Sequence, residues 1–381
     1  MKKGRVRMGA PTYRLSVPGK LFIAGEYAVL EPEGQCIVAA IDRYVTAEIS
    51  GSEQNAIHLP QLGFSGVSWE MMNGQLQFSE NAPKLTFIQN ALRVSLQYIE
   101  ETSVPPLRFS LSITSELDDA SGKKYGLGSS AAVVVAVISS VLQLHEKAGI
   151  DLSKELIYKL ASIAHFKTQG NGSCADIAAS TYGGWLSYSA FHERWLHEEM
   201  TGGTNILSVV REKWPGLMIS SITPPSDLLF CAGWTGSEMS TSPMIRKIQQ
   251  LRDEQPSVYK KFFQDSQAAV KALDRAFREG NTNNSLQSLA DNRQALMRLS
   301  DQANAEIETP LLKELIRIAN RYGAGKTSGA GGGDCGIALI VNDENLANLK
   351  RDWQEAGIEP LKITVSLRGA TVVGKGDVDH D

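Results

Sequence analysis

Three short segments and one lysine carry the residues of this sequence best suited to chemistry. The first segment, Tyr125-Gly126-Leu127-Gly128-Ser129-Ser130-Ala131, runs straight into an apolar helical pattern. Glycines there let the backbone approach a phosphate, and the N–H groups of a first helical turn then point at it. The hydroxyls of Ser129 and Ser130 add donors to phosphate oxygens, or a ligand for Mg2+. The second segment, Gln169-Gly170-Asn171-Gly172-Ser173-Cys174-Ala175-Asp176, lies between two helices. It delivers Asp176 to a first helical turn, where the macrodipole favours a carboxylate. A helix-start aspartate with no further task fits the same pattern. The third, Thr327-Ser328-Gly329-Ala330-Gly331-Gly332-Gly333-Asp334-Cys335-Gly336, packs four glycines and an alanine into five consecutive positions. One turn needs no such run, whereas a concave row of backbone N–H groups for an anion does. Lys20, in Val17-Pro18-Gly19-Lys20-Leu21-Phe22, stands among apolar residues after a glycine break, with an exposed strand-end lysine as the plain alternative. Lys123 and Lys124, before the first segment, either attract phosphates or are simply solvated.

Rival motifs fail on context. Gly126-x-Gly128-x-x-Ala131 satisfies a dinucleotide fingerprint, which must follow a strand directly and be answered by an acidic residue about 20 positions on. Here the preceding strand ends near Thr114 and the nearest acidic residue, Glu146, closes a helix. Gly325-Lys326-Thr327 resembles the end of a phosphate-binding P-loop, but position 320 is Asn and the segment runs from helix to strand. No GxSxG or HExxH occurs, and none of the six histidines stands in a nucleophile or metal motif.

The elements that must position these segments alternate between strand and helix in the first half. Tyr13–Val17 reads as a strand broken at Pro18-Gly19-Lys20, and Cys36–Ile41 and Tyr44–Ile49 as two more. Leu85–Ile99, the apolar stretch 128–145 and Leu152–Thr168 read as helices, the last with Ser153 as N-cap. Leu107–Thr114 alternates as a strand. In the second half, Met244–Arg252, Val258–Arg278, Ser285–Ser300, Pro310–Tyr322 and Glu344–Ala356 read as helices, and Gly336–Val341 and Leu361–Val365 as strands. Thr223-Pro224-Pro225-Ser226 is an extended connector and the best domain boundary. The organisation read from it is a flexible tail over 1–12, an N-terminal domain over 13–224 and a C-terminal domain over 225–381, ending in an acidic tail.

At 381 residues, 42% hydrophobic, the chain is long enough for two domains and apolar enough to bury a core. A net charge of -4 argues against a broad nucleic-acid footprint and for a small-molecule partner met by a local cationic site. Glycine is placed unevenly: 14 of the 34 fall within 122–128, 170–184 and 323–336, in and around the three segments above. Cys36, Cys174, Cys231 and Cys335 form no CxxC pair, so free thiols of a reducing compartment are expected. The basic start lacks a signal peptide's apolar region, and the longest apolar run, Ala131–Ile138, is too short to cross a membrane. The expectation is a cytoplasmic protein with no membrane partner.

Taken together, VPGKLFIAGEYAVLEP (17–32), KYGLGSSAAVVVA (124–136), GNGSCADIAASTYGG (170–184) and SGAGGGDCGIAL (328–339) resemble the GHMP kinase superfamily. Within it, Tyr27, the Asn-Gly-Ser run before Asp176, Gly233-Trp234-Thr235-Gly236 and the third glycine segment are most similar to the phosphomevalonate kinases. The resemblance implies an α+β, two-domain fold, with an N-terminal ribosomal-protein-S5-like α/β domain, a C-terminal ferredoxin-like domain, and the active site between them. It implies ATP as co-substrate with Mg2+, and phosphomevalonate as the second small-molecule partner. By the same resemblance Gly126, Leu127, Gly128, Ser129, Ser130 and Ala131, with Gly331, Gly332 and Gly333, grip the triphosphate, and Ser130 is a Mg2+ ligand. Lys20 and Asp176 flank the transferred group, while Ser173, Ser328, Gly329 and Ala330 meet the acceptor. Lys123, Lys124 and Lys326 are loose candidates for the acceptor's own phosphate, and Ser237, Ser240 and Thr241 for its pocket. One departure stands out: position 165, where mevalonate kinases carry a metal-binding glutamate, is His165. An alcohol acceptor such as mevalonate or homoserine, or a non-catalytic nucleotide-binding regulator, are the alternatives.

Overall fold

A computed structural model describes residues 11–72, 75–118, 125–236 and 242–377. Its strands are β1 (Pro11–Ala24), β2 (Gln35–Gly51), β3 (Ala56–Leu59), β4 (Phe64–Met72), β5 (Gln75–Phe78), β6 (Phe109–Ser115), β7 (Trp185–Ser189), β8 (Met218–Ile222), β9 (Leu228–Trp234), β10 (Gly323–Thr327), β11 (Cys335–Val341), β12 (Glu359–Pro360) and β13 (Thr371–Asp377). Its helices are α1 (Thr86–Glu101), α2 (Ser129–Leu144), α3 (Lys154–Gln169), α4 (Ala175–Tyr182), α5 (Glu193–Thr201), α6 (Ile206–Arg211), α7 (Ser242–Glu254), α8 (Pro256–Arg278), α9 (Thr282–Gln302), α10 (Pro310–Ala319) and α11 (Asp343–Glu355).

Two sheets organise them. The larger has nine strands, with the path β13-β1-β2-β6-β3-β4-β5 and with β7 and β8 branching from β2. The branch is possible because β2 is long: Gln35–Ala39 pairs with β7, Val45–Gly51 pairs with β6, and β1 runs antiparallel along its other edge. The smaller sheet, β10-β11-β9-β12, is antiparallel throughout. α2 and α4 lie against β1 and β2, with α1 and α3 packed outside them. α2 is buried on nearly every side, since a middle layer has no solvent face; Val134, Val137, Ile138 and Val141 are all fully covered. Across the smaller sheet, Trp353 of α11 donates its indole N–H to Leu315 O at 2.9 Å and packs against α10.

Several strand expectations are corrected. β1 does not break at Pro18-Gly19. Its outer neighbour β13 pairs only as far as Ser16, so the missing N–H of Pro18 faces no partner strand, and the ladder to β2 absorbs the irregularity as a bulge between Pro18 and Gly19. The two strands expected over 36–49 are one strand, in which Asp42 and Arg43 bulge out. Asp42 then hooks Thr364, accepting from its N–H at 2.6 Å and from its hydroxyl at 2.7 Å. That hook, with one bridge from Ile41 to Val365, is what segment 361–365 forms in place of a strand. β3, β4, β5, β10 and β13 carried no sequence signal. The connector at 223–226 does separate strands of different sheets, β8 and β9. The last strand departs from the division made there: β13 pairs with β1 from Pro11↔Asp377 to Ser16↔Thr371, so 371–377, part of it expected as a tail, completes the first sheet.

Candidate functional site

Lys20 is held inside the first glycine segment. Its backbone N–H donates to Leu127 O at 2.8 Å and its Nζ to Gly126 O at 3.2 Å. The aliphatic stem runs so close to Gly128 that a Cβ there would stand 2.9 Å from Lys20 Cγ. The ammonium also lies 5.5 Å from the Phe22 ring centroid. This is not a solvated strand-end lysine.

The segment that surrounds it ends in a helix start with open donors. Gly126 (φ 78°) and Gly128 (φ 81°) take left-handed conformations, and Gly128 caps α2 without a side chain to satisfy the first turn. The N–H groups of Ser129, Ser130 and Ala131 have no acceptor among the described residues. A 16-residue helix therefore directs its positive end and three unpaired donors at the space beside Lys20.

α4, which carries Asp176 in its first turn, is docked on the strand that carries Lys20. Ser180, one helical turn after Asp176, donates to Pro18 O at 2.8 Å, which docks α4 on β1 two residues before Lys20. Asp176 Oδ1 accepts from the Ile177 N–H at 2.9 Å, as a first-turn carboxylate does. Its charge is felt by two buried thiols: burial foremost, then Asp176, pushes up Cys174, and burial, then Glu26, then Asp176 pushes up Cys36. Among the described residues no ion pair within 4.0 Å joins Asp176 to Lys20. The loop before α4 is pinned from below: Tyr158 and Tyr188 hydroxyls meet at 2.7 Å, and Tyr188 donates to Ser173 O. Ser173 Oγ accepts the Ala175 N–H at 3.4 Å.

The third segment differs from its sequence expectation in how its polar groups are used. The Ser328 hydroxyl is committed to Phe22 O at 2.8 Å, and Ala330 O accepts from the Tyr27 hydroxyl. Gly332 turns its N–H inward to Ile307 O at 2.8 Å, so it is not an open donor for phosphate. Gly331 (φ 81°) is required for that seating, because a Cβ there would stand 2.3 Å from Ile307 O. Gly329 meets nothing within 4 Å and faces open space. The first and third segments touch. A Cβ on Gly126 would lie 2.8 Å from Asp334 Oδ2, and Cys335 Sγ donates to Tyr125 O at 3.0 Å. The Tyr125 ring meets Trp234 edge-on at 4.8 Å.

Lys326 is corrected outright. It is fully buried and paired with Glu26, so it cannot reach an acceptor phosphate. Sequence reasoning missed Glu26, although a carboxylate inside Ile23-Ala24-Gly25-Glu26-Tyr27-Ala28-Val29 is a signal for a buried partner. It also missed Tyr188, which no local pattern marks. His165 is buried, with neither ring nitrogen bonded, and lies 5.3 Å from the Phe87 ring. Lys123, Lys124, Ser237, Ser240 and Thr241 lie outside the described residues.

Comparison with known proteins bears on this geometry. The family models for the N-terminal domain and the C-terminal part of the GHMP kinases match residues 87–184 and 269–359. A phosphomevalonate kinase from Streptomyces sp. (strain CL190) is 30% identical over 375 residues, covering 95% of this chain and 99% of its own. The chain belongs to the GHMP kinases. Two solved structures are similar over nearly the whole of this GHMP kinase. A Lin0012 protein from Listeria innocua is 34% identical with a TM-score of 0.88, covering 95% of this chain and 99% of its own. The phosphomevalonate kinase of Streptococcus pneumoniae, in complex with phosphomevalonate and AMPPNP, is 29% identical with a TM-score of 0.79, covering 93% and 99%. The expected two-domain GHMP kinase fold, mixed in helix and strand, is thus the fold of this kinase.

Proposed function

We propose that the chain transfers the γ-phosphoryl group of ATP to the phosphate of 5-phosphomevalonate, giving 5-diphosphomevalonate and ADP. The observation that carries this reading is the enclosure of Lys20 by the first glycine segment and the open N-terminal donors of α2, with the third glycine segment against them and α4, which bears Asp176, docked on the same strand. The full-length likeness to phosphomevalonate kinases supports the choice of acceptor.

Phosphoryl transfer asks for positioning and charge stabilisation more than for covalent chemistry. An alcohol acceptor must lose a proton during attack, which would make a general base central. A phosphate acceptor, with its second pKa near about 6, is already mostly dianionic at neutral pH. The barrier becomes the approach of two polyanions. Lys20, fixed at Gly126 O, offers a cation that needs no reorganisation, and the first-turn N–H groups of α2 hold the triphosphate. Asp176 orients the cationic groups around the transferred phosphoryl. Gly329 and Ala330, with Gly331 and Gly333, close over the acceptor and the phosphates from the other side.

The residues suit Mg2+ as ATP carries it. Among the described residues no cluster of three or more His, Cys, Asp or Glu forms a metal cage, and Mg2+ normally takes one or two protein donors with phosphates and waters. Ser130, half-buried in the first turn of α2, is the donor on this side. When bound, Mg2+ neutralises charge on the phosphates as they meet. We place the protein in the cytoplasm, in keeping with four buried free thiols and, among the described residues, no helix long and apolar enough to cross a membrane.

ADP release measured with ATP and, in turn, phosphomevalonate, mevalonate and homoserine tests the proposal. Turnover with phosphomevalonate is expected. Turnover with an alcohol alone would overturn the acceptor, and ATP binding without any turnover would favour a non-catalytic regulator.

A further inference from the structure

Glu26 and Lys326 form an ion pair that phosphoryl transfer, as described, does not use. They lie 300 positions apart, Glu26 just beyond β1 and Lys326 in β10, yet Lys326 is 0% and Glu26 3% exposed. Lys326 Nζ spends a second bond on Thr327 O at 2.7 Å. Burial pushes the Lys326 ammonium below its ordinary pKa, and the Glu26 and Glu308 carboxylates pull it back. Stability does not explain the pair. Taking two charges out of water costs what their attraction barely recovers, and apolar residues of similar volume serve a core as well or better. Glu26 Oε2 deepens the cost, being buried with no partner among the described residues.

Its place explains more. On one side stands the strand that carries Lys20. On the other, immediately after Lys326, begins the third glycine segment. Two further tethers cross between the same stretches, from Ser328 to Phe22 O and from Tyr27 to Ala330 O. Below, Glu308 is clamped by Arg293 of α9 through two 2.8 Å bonds, next to the Ile307 carbonyl that seats Gly332. Buried charge therefore runs from the end of β1, under the glycine segment, to α9.

We propose that the Glu26–Lys326 pair is a positioning device, which fixes the third glycine segment relative to Lys20 so that acceptor and triphosphate meet in line. This rests on the reading of that segment as the acceptor's cover. The pair fixes the height above β1 of a glycine run otherwise held by hydrogen bonds at Ser328, Ala330 and Gly332, a task that an apolar contact, free to slide, performs poorly. It touches neither substrate and acts through the backbone of Thr327–Gly333.

The test separates geometry from stability. Glu26→Gln and Lys326→Met each strand a buried charge or its partner and are expected to lower the melting temperature. Glu26→Leu combined with Lys326→Met removes both charges and is expected to regain most of that temperature. Its kcat/KM for the acceptor should nonetheless stay 10- to 100-fold down, with the KM for ATP within about twofold of wild type. Recovery of both melting temperature and acceptor kcat/KM in the double variant would overturn the proposal, as would equal losses for ATP and acceptor. If the double variant does not fold, Tyr27→Phe and Ser328→Ala cut the neighbouring tethers without leaving a charge. A raised acceptor KM with ATP KM unchanged then supports positioning, and no change in either overturns it. All constants are measured with whichever acceptor the wild type turns over. An alcohol acceptor would thus overturn the assignment of phosphomevalonate and leave this test intact.

Discussion

Replacing Gly128 by alanine should disable this kinase without unfolding it. The backbone at Gly128 has φ 81°, where an L side chain costs about 1–2 kcal/mol. The new Cβ would also stand 2.9 Å from Lys20 Cγ and 3.1 Å from Lys20 Cε. The lysine stem is flexible and yields, but yielding swings the ammonium away from Gly126 O, its 3.2 Å anchor. A shift of about 1 Å in a group that faces the reacting atoms costs on the order of 10²-fold in rate, or about 2.7 kcal/mol of transition-state stabilisation. Gly149 supplies the matched control. Its φ is 88° and a Cβ there meets nothing within 4 Å, so Gly149→Ala pays the backbone cost alone. Urea denaturation should show similar losses for the two variants, about 1–2 kcal/mol each. ADP release at saturating ATP and acceptor should show a drop of about 10²-fold for Gly128→Ala and near-native kcat for Gly149→Ala. Equal kcat in the two variants would refute the claim that Gly128 exists to make room for Lys20.

Four other perturbations probe the surrounding parts. Lys20→Ala should cost on the order of 10²–10³-fold in kcat, the scale for one preorganised electrostatic donor, and a near-native kcat would remove Lys20 from the reaction. Asp176→Asn keeps an oxygen for the Ile177 N–H while losing the charge, so kcat should fall at least about tenfold with little change in melting temperature; unchanged kcat would leave Asp176 a mere helix-start residue. Tyr188→Phe strands the Ser173 carbonyl and should cost about 1–3 kcal/mol of stability, with a lower kcat as the Asp176 loop slackens; a loss of stability with no change in kcat would make the tyrosine purely structural. His145 sets a pH dependence: burial holds its pKa below the ordinary value against a weaker raising effect from its bond to Val141 O, with Nε2 accepting from Leu107 N–H at 2.9 Å and Nδ1 donating to Val141 O at 2.7 Å. The unfolded chain takes up that proton first, at about pH 6.5, so its contribution is full above that pH and is lost as pH falls through the folded value. Urea midpoints from pH 7.5 to 5 should decline more steeply for wild type than for His145→Gln, and parallel curves would contradict this.

Most helices were legible because their signals are local, while the short α5 and α6 were not. Ser153 accepts the Leu156 N–H as the sequence suggests, and the amphipathic spacing of α8 and α9 survives into the fold. The glycine segments were legible as places where backbone meets something, but not as to what it meets. Ser328 and Gly332 read as open donors, and both are spent on Phe22 and Ile307, partners fixed only by tertiary contact. β10 was invisible because Gly323-Ala324-Gly325-Lys326-Thr327 has almost no strand-forming side chains, and its pairing with β11 alone makes it a strand. β3, β4 and β5 form a meander: β3 and β5 have only four residues each, and β4, with nine, is mostly exposed, so there is little periodicity to read. Lys326 misled for a related reason: a charge suggests solvent until its opposite, far away in sequence, is found beside it.

The pairing of β13 with β1 has a consequence for how this enzyme is made. The outer edge of β1 stays open until residues 371–377 have been made, after every other described strand, because its neighbour there is β13. Everything from β9 to β12, the whole smaller sheet included, is interposed between the larger sheet's first eight strands and β13. Folding in the usual vectorial order, one finished unit and then the next, cannot complete the first sheet here. The strand that bears Lys20 gains its second neighbour only after the smaller sheet has been made, so a nascent chain that stops short of β13 has an incomplete first sheet. The same pairing sets Pro11 opposite Asp377, which favours circular permutants opened at an exposed turn such as that at Gly280.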